Sequence, residues 1–172
     1  MPEDATLEMD YVLTGSGWAE CTVRTDGKWA TVTASYLGDA LGDLACAVLA
    51  LVAGAERAEA GFQEEPGLYR WTFARLPGDR VALHLTEVVQ DGHGERLLFE
   101  VVCPLVTLVA ATVRCLDDVF DRYGFDGYRE RWMEHDFPTC VHMQLRAILE
   151  HLQTRNDANE DQDHSRHDRP AP

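Results

Sequence analysis

Apolar and polar residues alternate along the first part of the chain, a period of two that is typical of β-strands. The alternation runs from Leu7 to Ala34 and is interrupted at Gly15-Ser16-Gly17, which predicts a bulge or a break between two strand segments. Asp26-Gly27 stands between two β-rich runs and predicts a hairpin with a two-residue turn. A two-residue turn fixes the register, so each side chain of the hairpin can be assigned to a face.

The polar face of this hairpin carries a tryptophan near each end. The register places Trp29 opposite Arg24 and Trp18 opposite Ser35, with Glu20 on the same face, whereas the other face is small and apolar and is expected to face the core. Exposed aromatic residues can anchor a protein partner. We therefore take Trp18, Glu20, Arg24 and Trp29 as candidate partner-binding residues. The alternative is that a helix or the N-terminal strand covers them.

A helical period replaces the alternation after the hairpin. Residues 39–53 form a predicted helix that is apolar nearly all round, and residues 55–67 are predicted to be a polar connection. Three meandering strands follow. A three-residue loop at Pro77-Gly78-Asp79 places Phe73 opposite Leu83, which gathers the apolar side chains on one face. The third strand is expected to add Leu97, Phe99 and Val101 to that face.

The C-terminal part contains two further predicted helices and a polar tail. The first begins at Pro104 and ends at Gly124, and the second covers residues 139–152. The predicted fold is α+β: an antiparallel sheet of about five strands with three helices packed mainly on one face. Residues 1–153 form one domain. Residues 154–172 form a disordered tail, because they lack large apolar side chains.

The charge of the chain restricts its partners. Fifteen Lys and Arg stand against 30 Asp and Glu, a formal net charge of -15. The tail holds three arginines and five acidic residues, a net charge of -2, which leaves -13 on residues 1–153. Such a body repels phosphate backbones and anionic lipids and attracts cationic surfaces. We therefore expect neither nucleic acid nor membrane as a partner, and a basic protein as the favoured one.

Cysteine usage and the N-terminus indicate a cytoplasmic protein. The five cysteines are odd in number and have no CxxC spacing, which is typical of reduced thiols in a cytosolic chain. The first ten residues are acidic and unlike a signal peptide, and the longest apolar stretch, residues 44–53, is too short to span a bilayer. No phosphate-binding loop or metal-ligand spacing is present, so no cofactor and no metal are expected.

One histidine is the best catalytic candidate. His84 is predicted to lie on the polar face of the later strands, across from Thr72, with Arg70 and Glu100 on the same face. Such a set could do acid–base work or hold a ligand. The alternative is that these residues are simply the solvated face of an antiparallel sheet, with exposed ion pairs.

Three segments also carry a resemblance: residues 34–44, residues 65–71, and residues 123–132 with Phe137-Pro138. Together they resemble a family of small acidic bacterial proteins common in actinomycetes. The resemblance implies a single domain of bacterial cytosolic origin. That family has no established activity, so the resemblance assigns no role to any residue.

Three functions are consistent with the sequence. The leading hypothesis is a non-enzymatic acidic interaction domain, in its most concrete form an immunity-type protein that neutralises a basic toxin. The second is a small-molecule-binding protein or enzyme that uses the polar face around His84. The third is a homo-oligomeric accessory protein whose Trp18 and Trp29 face binds a second copy.

Overall fold

Two antiparallel sheets and three helices make up the described part of the chain. The computed structural model describes residues 6–89 and 94–167, the stretch 156–167 by backbone alone. The first sheet has the order β1 (Glu8–Gly15), β2 (Trp18–Thr25), β3 (Lys28–Ser35), and α1 (Ala40–Val52) follows it. The second sheet has the order β4 (Arg57–Glu64), β5 (Gly67–Leu76), β6 (Arg80–Val88), β7 (Glu95–Pro104). The chain continues into α2 (Leu105–Trp132) and α3 (Thr139–His167).

The α+β class with antiparallel sheets is confirmed, but the described residues form seven strands rather than about five. The Gly15-Ser16-Gly17 break separates β1 from β2 as a hairpin, with a register shift between Leu13 and Gly15. The prediction of a polar connection at residues 55–67 is wrong, since β4 occupies most of that stretch. Its buried face offers only Ala58, Ala60 and Phe62, so the alternation was too weak to recognise.

The registers predicted from turn length are confirmed. In the first sheet Trp29 pairs with Arg24 and Trp18 pairs with Ser35. In the second sheet Phe73 pairs with Leu83, as the three-residue loop requires. Turn chemistry therefore determines which side chains face the core in both hairpins.

The third strand of the meander departs from the prediction at one residue. Phe99 pairs with Leu85 and Val101 pairs with Leu83, but a register shift follows and Leu97 pairs with Thr86. Such a bulge moves the preceding residue to the other face of the sheet. Leu97 therefore lies outside the core, with half of its surface exposed.

The buried faces of both sheets and the apolar sides of α1 and α2 form one core. The opposite faces of the strands alternate with these buried positions and are mostly polar and partly exposed. The largest fully buried side chains are aromatic: Trp71, Trp132, Tyr11, Tyr128, Phe62 and Phe73. A core of this size is expected for a body of about 150 residues.

Helix α2 consists of two segments that meet at Gly124. This residue has φ 62° and ψ -167°, a conformation that glycine adopts without strain, and it ends the first segment as predicted. The second segment carries Tyr128 and Trp132 into the core. It is connected to the first sheet by the Gly17 N–H, which donates to the Arg131 carbonyl at 2.8 Å.

Helix α3 begins at Thr139 as predicted and packs with Leu145 fully buried. Its backbone remains helical past Gln153, where the sequence analysis placed the start of a disordered tail. Residues 168–172 lie outside the described residues. The independence of the tail from the folded body stays a prediction.

Candidate functional site

The most exposed large hydrophobic side chain of the first sheet is Trp29, with 71% of its surface accessible. The Asp26-Gly27 turn fixes it on the outer face of β3, directly opposite Arg24. By contrast, Trp71 and Trp132 are fully buried and Trp18 is half-buried. An indole that the fold leaves in water is a candidate anchor for a partner.

The four residues proposed for partner binding do not form one cluster. Trp18 lies at the far end of the hairpin from Trp29, opposite the buried Ser35. Six residues of extended strand separate the ends of β2, which corresponds to about 20 Å. Glu20 is exposed between them and pairs with Thr33. The structure therefore brings Arg24 and Trp29 together and places Trp18 and Glu20 at the other end.

A shallow groove runs beside Trp29 on the outer face of the hairpin. Its volume is about 500 Å³, and its lining consists of polar side chains around the indole: Thr22, Arg24, Thr25, Gly27, Lys28, Trp29 and Thr31. The hydroxyls of Thr22 and Thr31 hydrogen-bond to each other at 2.9 Å. Trp29 thus forms an apolar wall over a floor of hydroxyl groups.

A second groove, of about 380 Å³, lies on the other side of Trp29 between the start of β3 and the strand β7. Residues 97–100 form its opposite wall, and Leu97 there is 50% exposed. We name Arg24, Trp29, Thr31, Leu97 and Glu100 the Trp29 surface. Sequence reasoning missed Leu97, because only the bulge in β7 turns it outward.

Three carboxylates lie in or next to the Trp29 surface, and the cations Arg24 and Lys28 line its first groove. Glu8 forms an ion pair with Arg24 at 3.7 Å, and Glu100 lies 3.9 Å from the His84 ring nitrogen. Asp26, in the turn, accepts a hydrogen bond from the Thr6 hydroxyl at 2.9 Å. Glu100 lines the groove between β3 and β7, whereas Glu8 and Asp26 line neither groove beside Trp29. Their position suits electrostatic attraction of a cationic partner.

The second candidate group, around His84, forms a row across the outer face of the second sheet. Thr72, His84 and Glu100 are direct neighbours on β5, β6 and β7. Arg70 instead forms an ion pair with Glu95, which also accepts a hydrogen bond from Thr86 at 2.9 Å. The predicted positions on one face are therefore right, but Arg70 does not face His84.

The side chains around the His84 row are partly exposed. The side chains of His84 and Glu100 are 47% and 52% exposed. On the same two strands, Arg96 forms an ion pair with Glu87 at 2.5 Å. Exposed pairs of this kind contribute about 0–1 kcal/mol each. Each acid of the row is matched by a base, as expected for a solvated sheet face.

A further groove, of about 540 Å³, lies between α1 and the edge strand β4. Alanines form much of its lining, and the charges in it have both signs: Asp43, Arg57, Glu59 and Arg70. Burial, with a smaller contribution from the charge of Asp39, raises the pKa of Asp43. Burial also raises the pKa of the Cys46 thiol, which lowers its reactivity. These features give the groove no chemistry that points to a particular ligand.

In the described ranges 6–89 and 94–167, no three His, Cys, Asp or Glu side chains are arranged to hold a metal ion. None of the helices described there combines the length and the apolar character needed to cross a membrane. His142, which sequence analysis did not place in a site, contacts Asp117 at 2.6 Å between α3 and α2.

Comparisons with protein-family models, with curated proteins and with solved structures found no match to this chain.

Proposed function

We propose that this protein is a non-enzymatic interaction domain that binds a basic protein partner through the Trp29 surface. The observation that carries the proposal is the 71% exposure of Trp29 on an otherwise polar sheet face. Leaving an indole in water forgoes the free energy of its burial, about 25 cal/mol per Å² of apolar area. A partner that covers the indole recovers that free energy.

The surroundings of Trp29 support this role. Interface hot spots are typically a central aromatic side chain in a pocket, ringed by polar residues that exclude water. Trp29 has a groove on each side and a second exposed apolar residue, Leu97, across one of them. Carboxylates in or next to the surface complete the arrangement, with Glu100 in the wall of the groove.

The charge supports a basic partner. A net charge of -15 attracts cationic surfaces over a distance of about 10 Å at 0.1 M salt and accelerates association. The same charge on two copies of the chain is repulsive, which favours a different protein over self-association. A cytoplasmic location belongs to the same proposal, because exposed thiols such as Cys46 and Cys140 suit a reducing compartment.

The open, partly exposed position of the His84 row favours this function over an enzyme. His84 faces Glu100 at 3.9 Å on an open sheet face, and Arg70 is held by Glu95. Catalytic groups usually act in a cavity that excludes water. The grooves beside Trp29 are lined by neither His84 nor Arg70.

The concrete form that we favour is an immunity-type protein, which would block a basic nucleic-acid-binding cleft on its partner. An acidic body competes for such a cleft by charge complementarity and gains specificity from a central anchor. This form predicts that adding the protein inhibits the partner's own activity in a one-to-one ratio.

Affinity capture with matched variants tests the proposal. Wild type, Trp29→Ala and Trp18→Ala would be immobilised and exposed to native lysate, and retained proteins identified and quantified by mass spectrometry. We expect a basic protein on wild type and Trp18→Ala that Trp29→Ala loses, because Trp18 is half-buried about 20 Å away. Retention that is equal on all three variants, an acidic partner, or recovery of this chain alone would contradict the proposal.

Salt dependence separates attraction from anchoring. With the captured partner purified, we expect its association rate to fall as salt rises and Trp29→Ala to raise its dissociation rate. Glu100→Gln should affect association more than dissociation, since the Glu100 side chain is 52% exposed and acts mainly through its charge. Binding that responds to neither salt nor Trp29→Ala would exclude this mode of recognition.

A further inference from the structure

Five buried polar side-chain atoms have no hydrogen-bond partner among the described residues. They are Tyr11 Oη, Ser35 Oγ, Trp71 Nε1, Tyr128 Oη and Trp132 Nε1. Buried polar groups in folded proteins are nearly always bonded to protein or to ordered water, because an unsatisfied one destabilises the fold. Several such atoms in one place therefore indicate a bound polar molecule.

Three of these residues lie together in the core. The Tyr11 ring meets the Trp132 ring edge-on, with centroids 6.3 Å apart. Tyr128 precedes Trp132 by four residues in the second segment of α2, so both project from the same side of that helix. All three are at most 1% exposed. Trp71 is separated from them by the Phe62 ring, which lies 5.4 Å from Trp71 and 6.3 Å from Tyr11.

Asp39, at the start of α1, acts on two of these residues through its charge. It is half-buried, it caps α1, and its Oδ1 accepts the Gly42 N–H at 3.2 Å. Burial is the main cause that raises the pKa of Tyr11 and of Tyr128, and the negative charge of Asp39 adds to it in both cases. The carboxylate is therefore within electrostatic range of both hydroxyls.

The chemistry of these groups limits what can satisfy them. The Trp132 indole N–H can only donate, whereas each tyrosine hydroxyl can both donate and accept. A molecule that bonds to the indole and bridges the two hydroxyls must therefore be able to accept and to donate hydrogen bonds. Because the three aromatic residues are almost inaccessible, that molecule must also be small. Water meets both conditions and usually makes about three hydrogen bonds when buried.

We propose that Tyr11, Tyr128 and Trp132 form an internal hydration site, in which bound water bridges the two tyrosine hydroxyls between β1 and the second segment of α2. The site is independent of the Trp29 surface and of any partner. With water bound, the hydroxyls of Tyr11 and Tyr128 would stabilise the fold, whereas unsatisfied buried hydroxyls would destabilise it.

Tyrosine-to-phenylalanine substitutions test the site by the sign of their effect. We expect Tyr11→Phe and Tyr128→Phe each to raise the unfolding equilibrium constant about five-fold, the usual effect of losing one hydrogen bond. Tyr123→Phe is the matched control, since the Tyr123 hydroxyl has a visible partner, the Leu13 N–H at 3.1 Å. Its effect should have the same sign. A single Tyr11→Phe or Tyr128→Phe variant that is unchanged or more stable would overturn the proposal.

The double variant tests whether the two hydroxyls share one site. If the same water bridges them, the effect of Tyr11→Phe/Tyr128→Phe should be smaller than the product of the two single effects. If the effect of the double variant equals the product of the two single effects, the hydroxyls have separate partners, and the shared site is overturned. Chemical denaturation of the conservative variants gives all four constants without loss of the fold.

Direct detection complements the mutants. In protein with ¹⁵N-labelled tryptophan, the Trp132 indole proton should show a cross-relaxation signal to long-lived water, and the exposed Trp29 indole is the internal control for fast-exchanging solvent. Absence of the signal at Trp132 would overturn the proposal. A small molecule that co-purifies with the protein in native mass spectrometry, and is lost in Tyr128→Phe, would replace water as the occupant.

Discussion

The outer faces of the two sheets are both polar, yet they differ in how their side chains are satisfied. On the second sheet, each acid of the His84 row meets a base or a hydroxyl: Arg70 with Glu95, Arg96 with Glu87, and His84 with Glu100. On the first sheet, a large indole stands in water between two grooves. The 71% exposed indole makes the first face the one with the largest single apolar side chain left to cover.

The two ends of the first sheet's outer face sharpen this difference. The Trp18 end is connected to the rest of the fold, because the Gly17 N–H donates to Arg131 and the Gly17 carbonyl accepts from Tyr36. The Trp29 end projects from a two-residue turn. The two tryptophans on the outer face of this hairpin therefore differ: Trp18 is half-buried and Trp29 is exposed. The difference indicates that Trp18 supports the fold and Trp29 is available to a partner.

The largest expected effect comes from truncating side chains in the core, which lies against the buried faces of both sheets. Phe73→Ala and Leu116→Ala should each cost about 2–5 kcal/mol of unfolding free energy, because both side chains are at most 1% exposed in the shared core. Thr72→Ala, on the opposite face of the same strand as Phe73, should cost far less. Denaturant titration measures all three. Equal losses at Phe73 and Thr72 would mean that both faces of the second sheet are covered.

The next largest effect tests the connection at the Trp18 end. Gly17 has φ +73°, and a Cβ added there would lie 2.6 Å from the Tyr36 ring. Left-handed strain and this contact together should make Gly17→Ala cost about 2–4 kcal/mol. Gly27→Ala is the control at the Trp29 end, with φ +82° and no atom within 4 Å of the added Cβ.

We expect Gly27→Ala to cost only the backbone strain, about 1–2 kcal/mol. The excess in Gly17→Ala then measures how tightly the Trp18 end is packed. Equal losses in the two variants would show that the contact with Tyr36 is easily relieved and that the two ends of the hairpin do not differ in this way.

Turn chemistry explains why much of this comparison was predictable from sequence. Asp26-Gly27 and Pro77-Gly78-Asp79 fix the length of two loops, and loop length fixes which side chains share a face. Trp29 and His84 were therefore assigned to the outer faces correctly. Local rules of this kind need no knowledge of the rest of the fold.

Features that depend on tertiary context were not predictable. The inward side chains of β4 are mostly alanines, so its sequence pattern resembles that of a loop. Its strand conformation becomes evident only from its pairing with β5. The bulge that exposes Leu97 leaves no mark in an apolar run. The groove between Trp29 and Leu97 depends on how two sheets meet, and spacing along one chain carries no such information.

A smaller effect is expected from His84→Ala, which compares the two outer faces directly. Binding of the captured partner should change less than about tenfold, whereas Trp29→Ala should weaken it by about thirty-fold or more, as hot-spot residues do. Titration calorimetry on the folded variants measures both. Complete loss of function in a folded His84→Ala protein would favour an enzyme or ligand site on the second sheet over our proposal.

The smallest effect is expected at the C-terminus. Helix α3 contributes Leu145, fully buried, and Leu149, which packs against the core, and Leu152 is its last large apolar residue. Residues 154–172 carry no apolar side chain larger than alanine or proline, so no burial offsets the entropy of ordering them. We therefore expect a chain that ends after Gln153 to keep its melting temperature within error in scanning calorimetry.

A chain that ends after Ile148 is the control for this truncation and should melt at a lower temperature, because it loses Leu149 and Leu152. If instead removing residues 154–172 lowers the melting temperature by several degrees, the tail docks on the body. The Trp29 surface would then have to be tested as the binding site of the tail.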